Sequence, residues 1–523
     1  MGGLSFIIYN ESYKSYNIDF INDFNKMKGR GPDNSIYNVE HSQNISNNKM
    51  SNEILKMHLS RSEISQYLIH TFVYKFHQLS INDQSLDAHQ PFEDPILYKI
   101  KDYPELRGRP KRKLLCDGEI YNYNSLKESE KFSDRDLQSN SDVEIILPLY
   151  IRHGIEKTLD LLKGDFSFIL TENTNTFILK SINVYCARDK FGIKPLWYIH
   201  NKNDTNFHMF TSDINSVPKF ILNHTQKYEI TEVPPGTYWS FQTKNFKTYT
   251  NDTIQLNKEI QLNKEIQLTS TDPNSLQEIY DNIEQLLKSS CQERLYTKNS
   301  VGILLDSNNY NSCLITSFLL QSYSLNNMEH EIHIFSLNHD NDFYTTFLNK
   351  KYNTLKLFYH NVYSNDGISN ITPSNVSVSN ITPSNVSVSN ITPSNVSVSN
   401  MSLSNYSIND KQIYDLSDLY KYVNNVNNLN VNIKVLYSGY GLNSIWNNNK
   451  LGNLQLHEYS AGINGFQVRF PFIDENLFNF LSCIDINLKE KRSFNNNTKI
   501  VDKYIIRKAC EKYLPFDITW NLD

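Results

Sequence analysis

The chain opens on an apolar run, Leu4 to Tyr9, and up to about residue 250 it returns to short apolar or alternating segments. These are Thr71 to Ile81, Phe166 to Leu170, Thr176 to Leu179, His208 to Ser212 and Thr237 to Phe241. Runs of this length and period predict strands rather than helices. The texture changes after a duplicated Ile-Gln-Leu-Asn-Lys-Glu at 254–259 and 260–265, which reads as a linker. Asp272-Pro273 then supplies a side-chain cap and a first-turn proline, and Leu276, Ile279, Tyr280, Ile283, Leu286 and Leu287 form one helical stripe. Beyond it strand and helix alternate: Val301 to Leu305, a helix from about Leu314, Ile332 to Ser336, a helix near Phe343 to Lys351, a helix around Ile413 to Val423, then Ile433 to Tyr437. This alternation predicts a parallel sheet covered by helices, with ligands beyond the carboxyl ends of its strands, in the loops 306–312 and 438–444.

One stretch fits neither texture. Ser-Asn-Ile-Thr-Pro-Ser-Asn-Val-Ser-Val is repeated three times without change from Ser369 to Val398, which predicts a disordered insertion at about 364–409. A length of 523 residues exceeds one ordinary core and predicts two domains, 1–250 and 272–523, about a linker at 251–271. The net charge of -5, with both signs dispersed, leaves no basic footprint for nucleic acid. No apolar run approaches the roughly 20 residues of a membrane helix, and no secretory leader is visible. Six scattered cysteines without paired metal spacing fit reduced thiols in a cytoplasmic protein and argue against structural zinc.

Candidate chemistry lies in four strings taken in order: Met1-Gly2-Gly3-Leu4; Gly29-Arg30-Gly31-Pro32-Asp33; Asp117-Gly118-Glu119-Ile120-Tyr121-Asn122; and Ala187-Arg188-Asp189-Lys190-Phe191-Gly192-Ile193-Lys194-Pro195-Leu196. Together they resemble the glutamine-dependent asparagine synthetases, over nearly the whole chain. The resemblance implies an α/β protein: a class II glutamine amidotransferase αββα sandwich, then an ATP-pyrophosphatase-type doubly wound parallel sheet. It implies ATP-dependent conversion of aspartate to asparagine with glutamine as nitrogen donor. ATP and Mg2+ would be the cofactors, small molecules the partners, and a homodimer is left open. In that family the residue after the initiator Met is the Cys nucleophile; Gly2 has neither sulfur nor oxygen with which to attack. Gly118 and Glu119 match the family's glutamine pocket, Asp117 replaces its first Asn, and Asp142 matches the Asp expected to hold the substrate's amino group. Gln78 stands where the family has an Arg for the glutamine carboxylate, a loss of roughly 1.5 to 3 kcal/mol of charge-assisted bonding.

The resemblance also assigns the ATP site, to Leu304, Ser307, Asn311, Ser312, Ser438, Gly439 and Gly441. The family's first loop, Ser-Gly-Gly-Leu-Asp-Ser-Ser, wraps pyrophosphate with close backbone amides and helps hold magnesium through its Asp. Here Asn308 and Asn309 replace both glycines, Tyr310 the Leu and Asn311 the Asp. In the second loop Tyr440, Asn443 and Ser444 stand where the family has acids. Neutral groups in place of four acids predict no metal site. Val468-Arg469-Phe470-Pro471-Phe472-Ile473-Asp474 and Lys503-Tyr504-Ile505-Ile506-Arg507 match family strings well, which makes Lys503 the candidate catalytic lysine. The reading is a family member impaired in both half-reactions, set against an ammonia-dependent synthetase and against a non-catalytic interaction or regulatory protein.

Overall fold

The computed structural model describes residues 2–9, 17–41, 70–94, 110–133, 135–175, 180–249, 273–336, 342–362, 419–426, 431–446, 452–489, 492–493 and 500–520. The predicted linker, the repeat insertion and the strand expected at Thr176 to Leu179 lie outside them.

The amino-terminal half contains twelve strands among the described residues: β1 (Gly2–Tyr9), β2 (Asn34–His41), β3 (Thr71–Gln78), β4 (Phe92–Glu93), β5 (Lys111–Ile120), β6 (Gly164–Asn175), β7 (Lys180–Arg188), β8 (Trp197–Asn201), β9 (Asp204–Thr211), β10 (Tyr228–Glu232), β11 (Thr237–Ser240) and β12 (Asn245–Thr248). They form two antiparallel sheets, β10-β8-β9-β1-β3-β2 and β12-β11-β7-β6-β5-β4. Between the sheets Leu4, Phe6, Ile8, Tyr74 and Phe76 pack on Leu115, Ile169, Cys186 and Trp239. The outer faces are buried too. Ile7, Tyr9 and Val73 lie with Phe20 of the helix Asn17–Phe24, while Leu114, Cys116 and Phe168 lie with Leu126, Leu149 and Leu159 of the helices Tyr123–Ser129 and Ile146–Leu161. Helix, sheet, sheet, helix is the layering the resemblance implied. It also explains why β1 reads as a nearly continuous apolar run, interrupted by the buried Ser5, since both its faces are covered.

In the carboxyl-terminal half β13 (Ser300–Leu305), β14 (Glu331–Ser336), β15 (Lys356–Asn361), β16 (Ile433–Ser438) and β17 (Gln467–Arg469) form a parallel sheet in the order β15-β14-β13-β16-β17. The chain winds outward from β13 in one direction and resumes on its other side with β16. The strand order therefore reverses between them, where open parallel sheets bind ligands. The helix Pro273–Glu293 buries Ile279, Ile283 and Leu287 of the predicted stripe. One expectation shifts: the helix placed from about Leu314 begins at Tyr310, because the Asn309 side chain caps it. Of the helix expected around Ile413 to Val423, residues 419–426 are described and helical.

The two halves meet closely. Lys190 pairs with Glu475 at 2.7 Å and Lys434 with Asp33 at 2.6 Å. A Cβ on Gly29 would come within 2.1 Å of the Ile463 carbonyl, so only glycine permits that approach. Among the described residues no helix is long and apolar enough to cross a membrane.

Candidate functional site

The amino-terminal site forms where β1 begins, against β5. Gly2 N donates to Asp117 Oδ1 at 3.1 Å. Gly2 has φ +150, and a Cβ there would stand 1.6 Å from the His77 carbonyl oxygen on β3. The backbone at position 2 therefore leaves no room for any side chain unless the strand shifts. Around Asp117 lies a buried ring of four charges. Arg30, at the end of the 3-10 turn Asn25–Arg30, reaches Asp117 Oδ2 at 3.1 Å and Glu458 Oε1 at 2.7 Å. Lys194 lies 3.5 Å from Asp117 Oδ1 and 3.0 Å from Glu458 Oε1, and donates to Gln467 Oε1 at 2.6 Å. All four charged side chains are at most 3% exposed. Burial alone pushes the Asp117 carboxyl up, but Lys194 and Arg30 hold it below its usual range. Glu458 belongs to the helix Gly452–Ile463, so this ring spans both halves.

The acids expected to bind glutamine are already engaged. Glu119 is gripped by both arms of Arg469 from β17, with Nε donating to Oε2 at 2.6 Å and Nη2 to Oε1. Asp142 Oδ2 accepts from Ile120 N at 2.6 Å and Oδ1 from Asn82 Nδ2 at 3.0 Å. Gln78, the last residue of β3, donates Nε2 to the Ala88 carbonyl at 3.0 Å. Gly118 lies so close to β6 that a Cβ would meet the Asp165 carbonyl oxygen at 2.5 Å. Cys116 is no substitute nucleophile: its backbone is clamped by Gln90 in both directions, at 2.6 and 2.9 Å, and burial pushes its thiol well above the ordinary value.

Across the interface, the loops after β13 and β16 come together at the reversal of strand order. Asn311 Nδ2 donates to Asn443 Oδ1 at 3.3 Å, joining the two loops through neutral groups. Asn309 Oδ1 accepts from Asn311 N at 2.9 Å and Ser312 N at 3.3 Å. It thereby takes up two of the first-turn amides that a phosphate would otherwise use. Ser312 Oγ donates to the Leu304 carbonyl at 3.1 Å and accepts from Asp306 N at 2.9 Å. Ser307 is 5% exposed, and its Oγ has no partner. Gly439 runs beneath the helix start, where a Cβ would meet Ser312 Cα at 2.6 Å, and Gly441 has φ +108. Ser438 Oγ accepts from Tyr440 N at 3.3 Å. The buried Tyr310 ring lies 4.2 Å beneath the Arg507 guanidinium. Lys503 precedes the helix Tyr504–Cys510 in left-handed backbone, φ 56, with Nζ paired to its neighbour Asp502.

The sequence reading identified Gly2, Asp117, Glu119 and Asp142, and the fold gathers them. It missed Arg30, Lys194, Glu458 and Arg469 as their partners, and Asn309 as the cap. Asn309 had a legible signal, an Asn directly before a helical run. Glu458 had none, because its partner Arg30 is 428 residues away.

Compared with known proteins, residues 65–250 match a glutamine amidotransferase domain family and residues 448–521 an asparagine synthase family. A glutamine-hydrolysing asparagine synthetase of Gallus gallus is 28% identical over 281 residues, 51% of this chain and 44% of that one. The chain thus spans less than half the length of that relative. A probable glutamine-hydrolysing asparagine synthetase of Acanthamoeba polyphaga mimivirus is 24% identical over 552 residues, covering 96% of this chain and 81% of its own. Relatives of one kind, glutamine-hydrolysing asparagine synthetases, thus match this chain, one of them nearly end to end, and the two family models fall one in each half.

Proposed function

We propose that this chain keeps the synthetase scaffold but runs neither half-reaction, and that it serves as a non-catalytic binding or regulatory protein. The observation carrying this reading is Gly2: it has no nucleophilic atom, and its backbone would drive a Cβ to 1.6 Å from the His77 oxygen. Glutamine hydrolysis needs a thiolate at this position and hydrogen-bond donors for the oxyanion that forms on attack. The nearest β5 side chain here is a carboxylate, Asp117, which accepts from Gly2 N and offers an oxyanion only repulsion.

Aspartate adenylation needs pyrophosphate and magnesium held at the carboxyl-terminal loops. Magnesium does not fit the donor set, since Asn311, Tyr440, Asn443 and Ser444 are neutral and Asp306 is the one acid in the two loops. The Asn309 cap competes for the amides that would cradle a phosphate. Lys503 favours a second reading, an ammonia-dependent synthetase, because a lysine held in left-handed backbone carries strain of a kind that collects at working sites. Pyrophosphate–ATP isotope exchange in the presence of aspartate separates the two. The proposed reading expects exchange no faster than with boiled protein, no glutamate from glutamine, and no magnesium-dependent rise in melting point with ATP. Exchange above that background would establish the second reading and end the first.

A further inference from the structure

The Asp142 end of the amino-terminal site holds a buried carboxylate. Asp142 is buried, and among the described residues no Lys, Arg or His pairs with it; its partners are Ile120 N and Asn82 Nδ2. The same Asn82 carboxamide leaves Oδ1 without a partner, on a residue 7% exposed. Gln78 repeats the pattern: it is 4% exposed, its donor is spent on Ala88, and Oε1 is unpartnered. Burial first, then Glu119, raises the Asp142 carboxyl above its usual range. A third element borders the same acids. Tyr296, reaching over from the carboxyl-terminal half, keeps 40% of its surface exposed, and burial, then Asp142 and Asp83, raises its phenol.

The unpartnered atoms beside Asp142, Asn82 Oδ1 and Gln78 Oε1, are acceptors, and with the carboxylate and the aromatic ring of Tyr296 they prefer a cationic N–H donor. An α-amino acid would satisfy Asp142 with its ammonium group but would bring a carboxylate as well. Where the family has Arg, Gln78 offers that carboxylate only a carbonyl oxygen, and the nearby Arg469 is committed to Glu119. We propose that this site takes a small amine that carries no carboxylate, an alkylammonium or ammonium itself, with Gln78 as the residue that turns glutamine away. The proposal rests on the reading that glutamine is not hydrolysed at Gly2, and it adds the class of ligand admitted in glutamine's place.

The test is calorimetric binding to the full chain with 4-aminobutanamide, which is glutamine without its α-carboxylate, beside L-glutamine. Ammonium chloride against potassium chloride distinguishes free ammonium from an alkylamine. Expected is a Kd for 4-aminobutanamide at least about tenfold below that for glutamine, and a Gln78→Arg variant that reverses the order by a similar factor. Asp142→Asn should abolish binding of both; should that variant not fold, for want of one of the two bonds that Asp142 accepts, the Gln78→Arg reversal still decides. Glutamine binding as tightly as the amide, an unchanged ratio in Gln78→Arg, or no binding of any amine up to tens of millimolar would overturn the proposal. Glutamate release is a separate outcome, and it would sink the non-catalytic reading instead.

Discussion

Around Asp117 four charges, Arg30, Asp117, Lys194 and Glu458, stand in pairs 2.7 to 3.5 Å apart and at most 3% exposed. Across the interface the loops after β13 and β16 are held by an amide pair, Asn311 and Asn443, at 3.3 Å. The first region turns its ions on one another; the second is joined by a neutral hydrogen bond. Both are partial answers to one constraint, that a buried polar group needs a partner, since Arg30 Nε and Nη1, Glu458 Oε2 and Ser307 Oγ are left without one. A site evolved for a charged ligand can meet it from within, either by adding opposite charge or by removing its own. The answers differ in fragility, because losing one member of a buried ion cluster strands the rest, whereas losing one amide strands little.

That difference can be measured. Glu458→Gln removes one anion from a ring of two cations and should lower the unfolding free energy by about 3–5 kcal/mol in urea titration. A loss below about 1 kcal/mol would show that the ring is not an energetic unit. Gly2→Cys should cost roughly 2–3 kcal/mol, because its Cβ meets the His77 oxygen in a backbone conformation suited to glycine. The same variant should still release no glutamate from glutamine; release would mean that β1 yields readily and that only the thiol was missing.

Lys75 supplies the control for an unpaired charge. It is 1% exposed, donates to the Phe20 carbonyl and is ringed by Phe20, Phe24 and Tyr37 at 5.4 to 5.6 Å. Burial lowers its pKa to about 7, against some opposition from Asp23. The folded protein then binds fewer protons than the unfolded chain between that value and the ordinary lysine pKa of about 10.4, so stability should rise with pH across that window, and the cost is complete below it. Lys75→Met should abolish the rise and gain roughly 2 kcal/mol at pH 7, read from denaturant midpoints at several pH values. The smallest effect belongs to the neutral region. Asn309→Ala removes the cap of the helix Tyr310–Leu325 and should cost about 1 kcal/mol; a cost matching that of Glu458→Gln would erase the contrast between the two regions.

Much of the fold was legible because burial on both faces leaves a direct trace. Leu4 to Tyr9, Val301 to Leu305 and Ile332 to Ser336 read as apolar runs because helices or a second sheet cover them. β5 did not read as a strand: it begins Lys-Arg-Lys, and its Asp117 and Glu119 are neutralised by residues far along the chain. The site was half legible for the same reason. Local strings identified Gly2, Gln78, Glu119 and Asp142, but nothing nearby in sequence announces that Arg469 closes on Glu119 from 350 residues away. Lys503, the candidate catalytic lysine, makes its salt bridge to the adjacent Asp502.

The ring of four also bears on whether the chemistry proposed to be absent could be introduced. Restoring the family's amide by Asp117→Asn would remove one anion and leave Arg30 and Lys194 facing Glu458 alone, in a place no water reaches readily. A cysteine at position 2 would gain nothing until that amide was back, and the amide would be tolerated only after a cation had gone. On the proposed reading each single change therefore passes through a less stable intermediate, so the electrostatics of the interface act as a ratchet.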